Sequence, residues 1–459
     1  AWWFGGSGFP ILRVAGVGVL GAAVVGAGFG VATALRTDAV RDNPVGTLFG
    51  ATRWVTVVPA ESAHSMGRGR LMLRAELVRV DAAEAAGQVT VFAPVSGFSE
   101  LTAGRPARFR ARITRPGRND LTVAVCTAVG RPVFGEAGAL QWAAEAVRDG
   151  FGAAARAVLP ADAAAVLPGL VLGDTEAVPP ATTADFRTAG LTHLTAVSGA
   201  NVTIVCGTVL LCARFVGPRF AVALAGLALV VFVIVVQPTP SVLRAAVMGA
   251  LGLLAVLSAR RRQAIPVLSA TVITLVLLAP QLAVDVGFAL SVTATAALVV
   301  LAPRWAATLE ARGWPRPLAA AVAIALAAQV VTAPLIAAIS GRFSVVSVAA
   351  NLLVAVVIPP ITVLGTAAAA LGPLWPGAAG LLIRFTGPEL WWLLRVSHTA
   401  AAVPGASVPV PSGWAGLAVI GCASVGAVVL GRRRWFRLCL LGVLLTGAAW
   451  SVSAGVGGP

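Results

Sequence analysis

The sequence predicts a polytopic α-helical membrane protein carrying one small external β-barrel domain of OB type. Three observations predict it. First, 58% of the 459 residues are hydrophobic and the mean hydropathy is +0.90, above the roughly 45–50% apolar content of soluble globular chains. Second, apolar runs of about 18 residues or more recur through the second half, each long enough to cross about 30 Å of hydrocarbon as a helix. Third, a stretch of alternating apolar and polar residues, cut by Gly and Pro, interrupts this pattern near the N-terminus, and that is the texture of half-buried strands.

In chain order, residues 1–36 read as an N-terminal transmembrane helix, a Gly/Ala/Val run from Val14 to Leu35 bounded by Arg13 and Arg36. Residues 46–135 read as the barrel. Segments such as Arg70–Arg79, Gln88–Phe92 and Ala107–Thr114 alternate with period two, separated by Gly67, Gly69, Gly87, Pro94, Gly97, Gly104, Pro116 and Gly117. That punctuation suits five or six short strands closed on themselves. Residues 137–187 read as amphipathic, interfacial helices, with Trp142, Ala146, Phe151, Ala155 and Val158 at helical spacing and Glu145, Arg148, Asp149 and Arg156 between them.

Residues 188–459 read as a multi-span membrane domain. Spans are expected at 189–213, 219–236, 241–258, 264–279, 283–302, 318–340, 344–371, 378–396, 413–431 and 436–456. The first of these is open to a re-entrant reading, and Pro359-Pro360 breaks the 344–371 element.

The formal charge is +16, from 34 basic residues, all arginine, against 18 acidic ones. Biased base composition explains arginine in place of lysine but not the excess, which calls for orientation signals or an anionic partner. Arginine-rich short loops stay cytoplasmic. Starting from Arg260-Arg261-Arg262, the loops with Arg214 and Arg219, with Arg304, Arg312 and Arg316, and with Arg432 to Arg437 all fall on that side. The same walk puts the barrel and the C-terminus outside.

Of five cysteines, only Cys126 lies in the soluble region, and three scattered histidines complete no metal set. Neither a metal nor another cofactor is expected. A GxxxxGK[ST] phosphate loop is also missing from the sequence.

The densest polar signal is Gly190-Leu-Thr-His-Leu-Thr-Ala-Val-Ser-Gly-Ala-Asn201, inside an apolar segment and preceded by Leu172-Gly-Asp-Thr-Glu176. Polar side chains at membrane depth are costly unless they pair or face a wet cavity. His193, Ser198, Gly199, Asn201 and Asp174 are therefore candidate path residues. So are Arg244 near the external end of its span, Asp285, and Asn351 ahead of the Pro359 break. Each has a plainer reading. His193 could make an interhelical hydrogen bond, Ser198-Gly199 could serve close packing, Asp285 could cap the next helix, and Arg244 could snorkel and pair with Asp285 or Asp174.

On the barrel, 12 arginines face 6 acids between Gly46 and Arg131. Arg105, Arg108, Arg110 and Arg112 cluster, the last three on one strand face, as a candidate row for a phosphate backbone. A solvated face or attraction to anionic headgroups is the plainer alternative.

The Gly190–Val205 run resembles the signature of the ComEC competence proteins, and three further stretches match that family in order: Pro240–Met248 with its following arginines, Asp285–Ser291, and Phe343–Leu352 leading to Pro359. The resemblance implies an inner-membrane channel for single-stranded DNA in natural transformation. Its expected partners are single-stranded DNA, the lipid bilayer, an external DNA receptor, a cytoplasmic motor ATPase, a separate nuclease, and a second copy of the chain in a homo-oligomer. There are two departures from the family. Asn201 stands where many members have histidine, and residues 1–459 contain no segment with the His/Asp metal cluster of the metallo-β-lactamase-like domain that many members carry; nuclease activity is therefore not expected of these residues.

Two other functions fit the residues. One is a transporter of a small anion or lipid on the same broken helices. The other is an intramembrane hydrolase with Ser198 as nucleophile and His193 as base, although five residues of helix turn two side chains about 140° apart.

Overall fold

A computed structural model describes Val40 and residues 43–430, apart from 61–63, 66–68, 99–100, 102–103, 118–121, 137, 196, 198, 237–239 and 258–263. The Val14–Leu35 span, the arginine triplet, Ser198 and the 436–456 span lie outside the described residues. The chain divides into two compact units, residues 1–142 with 238–240 and 269–288, and the remainder.

The first unit holds the barrel. Its strands are β1 (Thr52–Pro59), β2 (Arg70–Val80), β3 (Ala83–Pro94), β4 (Ala107–Thr114) and β5 (Ala124–Phe134). The order is β1-β2-β3-β5-β4, and β1 pairs with both β2 and β4, so the sheet closes. All pairings are antiparallel except β3 with β5. A closed five-stranded sheet leaves no free edge, as in OB folds.

Alternation decides which side chains enter. Ala107, Phe109, Ala111 and Ile113 of β4 point inward with Leu71, Leu73, Ala75 and Leu77 of β2. Phe98 meets Phe109 edge-to-face at 5.3 Å. Cys126 is in the same core, and burial pushes its thiol up to about 12. At the β2–β3 turn Asp81 takes φ 52°, and its side chain accepts a hydrogen bond from the Trp54 N–H at 3.1 Å.

The second unit is helical. In chain order the helices are α1 (Ala139–Val158), α2 (Ala161–Leu172), α3 (Pro180–Ala189), α4 (Gly199–Cys212), α5 (Pro218–Val236), α6 (Pro240–Leu257), α7 (Ala264–Leu278), α8 (Val286–Val300), α9 (Ala302–Glu310), α10 (Arg316–Ser340), α11 (Ser347–Val354), α12 (Ile358–Leu371), α13 (Pro376–Phe385), α14 (Gly387–Ala402) and α15 (Gly413–Leu430). The beginning of α1 and parts of α6 to α8 are assigned to the first unit.

Among the described residues, four stretches are long and apolar enough to cross a membrane: α5, the α8–α9 stretch, α10 and α15. The pair α11 and α12 adds one broken span, bent by 53°. The remaining apolar segments give shorter helices. The stretch 378–396, expected as one span, is two helices, α13 and α14, because the first ends at Thr386 and Gly387-Pro388 starts the second.

The core of this unit is built from α2, α4, α5, α12 and α14. The amphipathic α1 buries Phe151 and Ala155 and exposes Trp142, whereas α2 is buried on nearly every side. Small residues allow the close approaches: a Cβ at Gly365 of α12 would collide with Val171 of α2.

Candidate functional site

The site grows out of two breaks in helical structure. The first follows α3. Gly190 ends that helix at φ 74°, its N–H donating to Arg187 O while the Leu191 N–H donates to Phe186 O at 2.8 Å, a Schellman-type close. Glycine is required twice over here. The left-handed backbone disfavours any Cβ, and a Cβ would lie 2.5 Å from Ser347 Oγ. A short 3-10 turn, Thr192–Leu194, then leads to α4.

The second break lies between α11 and α12, and polar side chains of α11 and of the residues just before it tie this segment to the first. Ser344 Oγ donates to Thr188 O at 2.7 Å. Asn351 Nδ2 donates to Ser347 O at 2.8 Å and reaches Gly190 O at 3.5 Å. Ser347 Oγ bonds Gln329 Oε1 of α10 at 3.0 Å.

His193 and Asn201 come together on one cavity of about 120 Å³, lined also by Leu170, Leu194, Ile361 and Thr362. The His193 ring bonds the Gly190 backbone. His193 is exposed, and its side chain lines this void. Asn201 is 5% exposed and donates to Leu170 O at 2.9 Å, satisfying a carbonyl in the last turn of α2.

The other candidates lie apart from this cavity. Arg244 of α6 abuts Gly199 at the start of α4 and bonds Ser291 of α8. It pairs with neither Asp285 nor Asp174. Asp285 belongs to the first unit, where Arg74 of β2 holds it at 3.2 Å and its other oxygen accepts from the Phe288 N–H at 2.8 Å, capping α8.

Asp174 lies in the α2–α3 loop and accepts from the Glu176 N–H. There the Glu176 carboxyl is raised above its ordinary range by desolvation first and then by Asp174 and Asp149, with Arg148 opposing. Arg148 is itself lowered by burial against four nearby carboxylates, and its Nη1 donates to Val235 O at 2.9 Å.

Gln329, Ser347, Thr362, Arg148 and Glu176 were not singled out from sequence. Only Gln329 carried a usable signal, as a lone amide inside an apolar run.

On the barrel, Arg108, Arg110 and Arg112 point outward in a row. Opposite them on β1 stand Thr56, Trp54 and Thr52. Trp54 is 39% exposed, with the Arg108 guanidinium 5.3 Å from its ring. Arg105 instead turns back onto its own domain, stacking on Phe134 and donating to Gly135 O. Among the described residues, no group of three His, Cys, Asp or Glu converges to hold a metal.

Fold and site together define a polytopic helical membrane protein with an OB-like barrel and a polar cluster at broken helices. Residues 170–435, more than half of the chain, match the family described as "Competence protein", and the chain belongs to this ComEC-type competence family. No curated protein and no solved structure matches it.

Two expectations follow. Gly190→Ala should destabilise the helical unit by about 2–4 kcal/mol, from left-handed strain plus overpacking, seen as a lower thermal midpoint and reduced membrane level. Glu176→Gln should raise the midpoint at neutral pH. A raised folded-state pKa means that ionised Glu176 opposes folding above that pKa, so the gain should shrink as pH falls and the native carboxyl protonates. A gain independent of pH would refute this.

Proposed function

We propose that this chain is the inner-membrane channel that passes single-stranded DNA into the cytoplasm during natural transformation. One observation within a chain of this family carries the reading: two broken helical segments meet at a cavity with His193 and Asn201 on its wall and the Asn351 network beside it. Irregular backbone at membrane depth is tolerated where it is covered by protein or lines a water-filled space.

The barrel, external in this reading, binds the strand. Arg108, Arg110 and Arg112 track phosphates while Trp54 offers a face on which a base can stack. Asp174, Ser198, Gly199, Arg244 and Asn351 complete the proposed path and its supports within the helical unit, while Arg105 stays at the edge of the barrel surface.

A cytoplasmic motor ATPase supplies the energy, an external receptor delivers DNA, and a separate nuclease removes the second strand. No catalytic step is assigned to the chain, since His193 is engaged by the Gly190 backbone.

Two measurements test this. In cells deleted for the gene, labelled DNA should stay outside the cytoplasm. Wild type should restore entry, and His193→Ala and Asn351→Ala should fail at normal membrane levels. Uptake unchanged by deletion would point to a different cargo, such as a small anion or a lipid. With the full-length protein, replacing Arg108, Arg110 and Arg112 by Gln should weaken single-strand binding and lower its log–log salt slope by about 2, at roughly 0.7 per phosphate contact. An unchanged slope would remove the arginine row from the DNA surface.

A further inference from the structure

The outer face of the barrel carries apolar side chains in register with its arginines. Core packing fixes the outward set on β4: Phe109 and Ala111 fill the interior, so Arg108, Arg110 and Arg112 face out. Residues directly opposite one another on antiparallel strands share a face. Arg110 stands between Trp54 of β1 and Val129 of β5, and Arg108 stands between Thr56 and Val133. Val129 is 49% exposed and Val133 63%.

A bulge puts the second valine there. Arg112, Ala111 and Arg110 face Thr127, Ala128 and Val129 in turn, a ladder that would go on to set Arg131 opposite Arg108. Instead the register shifts between Arg108 and Arg110, and Arg108 meets Val133. Gly130, at φ 82°, supplies the left-handed residue of the bulge. Two arginines directly opposite repel each other, so the bulge relieves a like-charge contact. That relief asks only for a neutral residue, and a threonine, as at Thr127 opposite Arg112, would meet it. A solvent-facing valine gains nothing in the free barrel and gains only when a ligand covers it.

The arginines select a polyanion, and the apolar neighbours select among polyanions. A duplex turns phosphates and sugars outward and keeps its base faces stacked inside, so it satisfies the arginines without covering the valine methyls. A single strand brings phosphates and unstacked base faces together. We propose that Val129 and Val133 are specificity-determining residues. They form an apolar rail against which bases of a single strand lie while Arg108, Arg110 and Arg112 hold its phosphates. The inference rests on the reading of the barrel as the strand-binding domain, and it adds how that surface favours a single strand over a duplex.

The test uses the full-length chain in phosphatidylcholine nanodiscs, with a fluorescent oligothymidylate and a duplex of the same length as probes. The wild type should bind the strand more tightly than the duplex. Val129→Thr combined with Val133→Thr keeps side-chain shape and β-branching while replacing one methyl on each residue by a hydroxyl. This double variant should weaken strand binding by about tenfold, at roughly fourfold per covered methyl group. Its duplex binding and its salt slope should stay as in the wild type. Val129→Ile with Val133→Ile should keep the preference. Replacing the three arginines by Gln should instead weaken strand and duplex alike and lower both slopes.

A threonine double variant that keeps the preference, or that loses strand and duplex binding equally, overturns the assignment. So does a wild type that binds the two probes equally. If phosphatidylglycerol discs abolish strand binding by the wild type but not by the threonine variant, the rail lies on the bilayer and the assignment falls as well. A wild type that binds neither probe removes the barrel from the DNA path altogether. The channel reading fails separately, if deletion of the gene leaves DNA uptake intact while the strand preference stands.

Discussion

A backbone carbonyl or amide in hydrocarbon must find its partner within the protein, and the bent pair α11–α12 shows how much structure that requirement organises. Pro359 and Pro360 bring no N–H, and Val357 N donates to Val354 O, three residues back, rather than to Leu353 O. The Leu353 carbonyl is thereby left without its helical donor. The indole of Trp392, on α14, supplies one at 2.9 Å. A break that would be untenable at a lipid-facing surface is held because another helix brings a donor to it.

The break after α3 follows the same logic with different residues. Ser344 serves the Thr188 carbonyl and Asn351 reaches that of Gly190, while Asn201 serves a carbonyl of another helix end, Leu170 in the last turn of α2. Several polar side chains that read as functional are therefore committed first to backbone groups. Their place in a path follows from that commitment, because a side chain anchored to a broken helix stands where the helix has opened. His193 differs in that its ring bonds the Gly190 backbone and still faces the cavity.

The barrel was the most legible part of the sequence. With one closed core, each strand must send alternate side chains in and out, and Ala107-Arg108-Phe109-Arg110-Ala111-Arg112-Ile113 states this residue by residue. The membrane part was legible as helix but not as helix length. Composition gives no warning that 378–396 breaks at Thr386, since the Gly387-Pro388 that starts a second helix there is also tolerated within long membrane spans. The partner of Arg244 was misread because ion pairing depends on tertiary distance. Asp285 is drawn to Arg74, 211 residues away in sequence, and no local pattern encodes that choice. The role of Gly190 was equally hidden, since it depends on Ser347 arriving from α11.

The distribution of charge bears on how a strand could move. Outside the core of the barrel, arginines stand in a row, with Trp54 beside them, suited to holding several phosphates at once. Among the described residues of the helical unit, Arg244 is the one buried arginine, and the wall of the His193 cavity is mostly apolar. Conduction demands binding favourable enough to admit the charge and weak enough to release it. A row of cations deep in low dielectric would hold a polyanion too tightly to pass it on. On the proposed path, scarcity of internal charge is therefore a condition for movement, and the row of arginines belongs on a surface where water and salt weaken its hold.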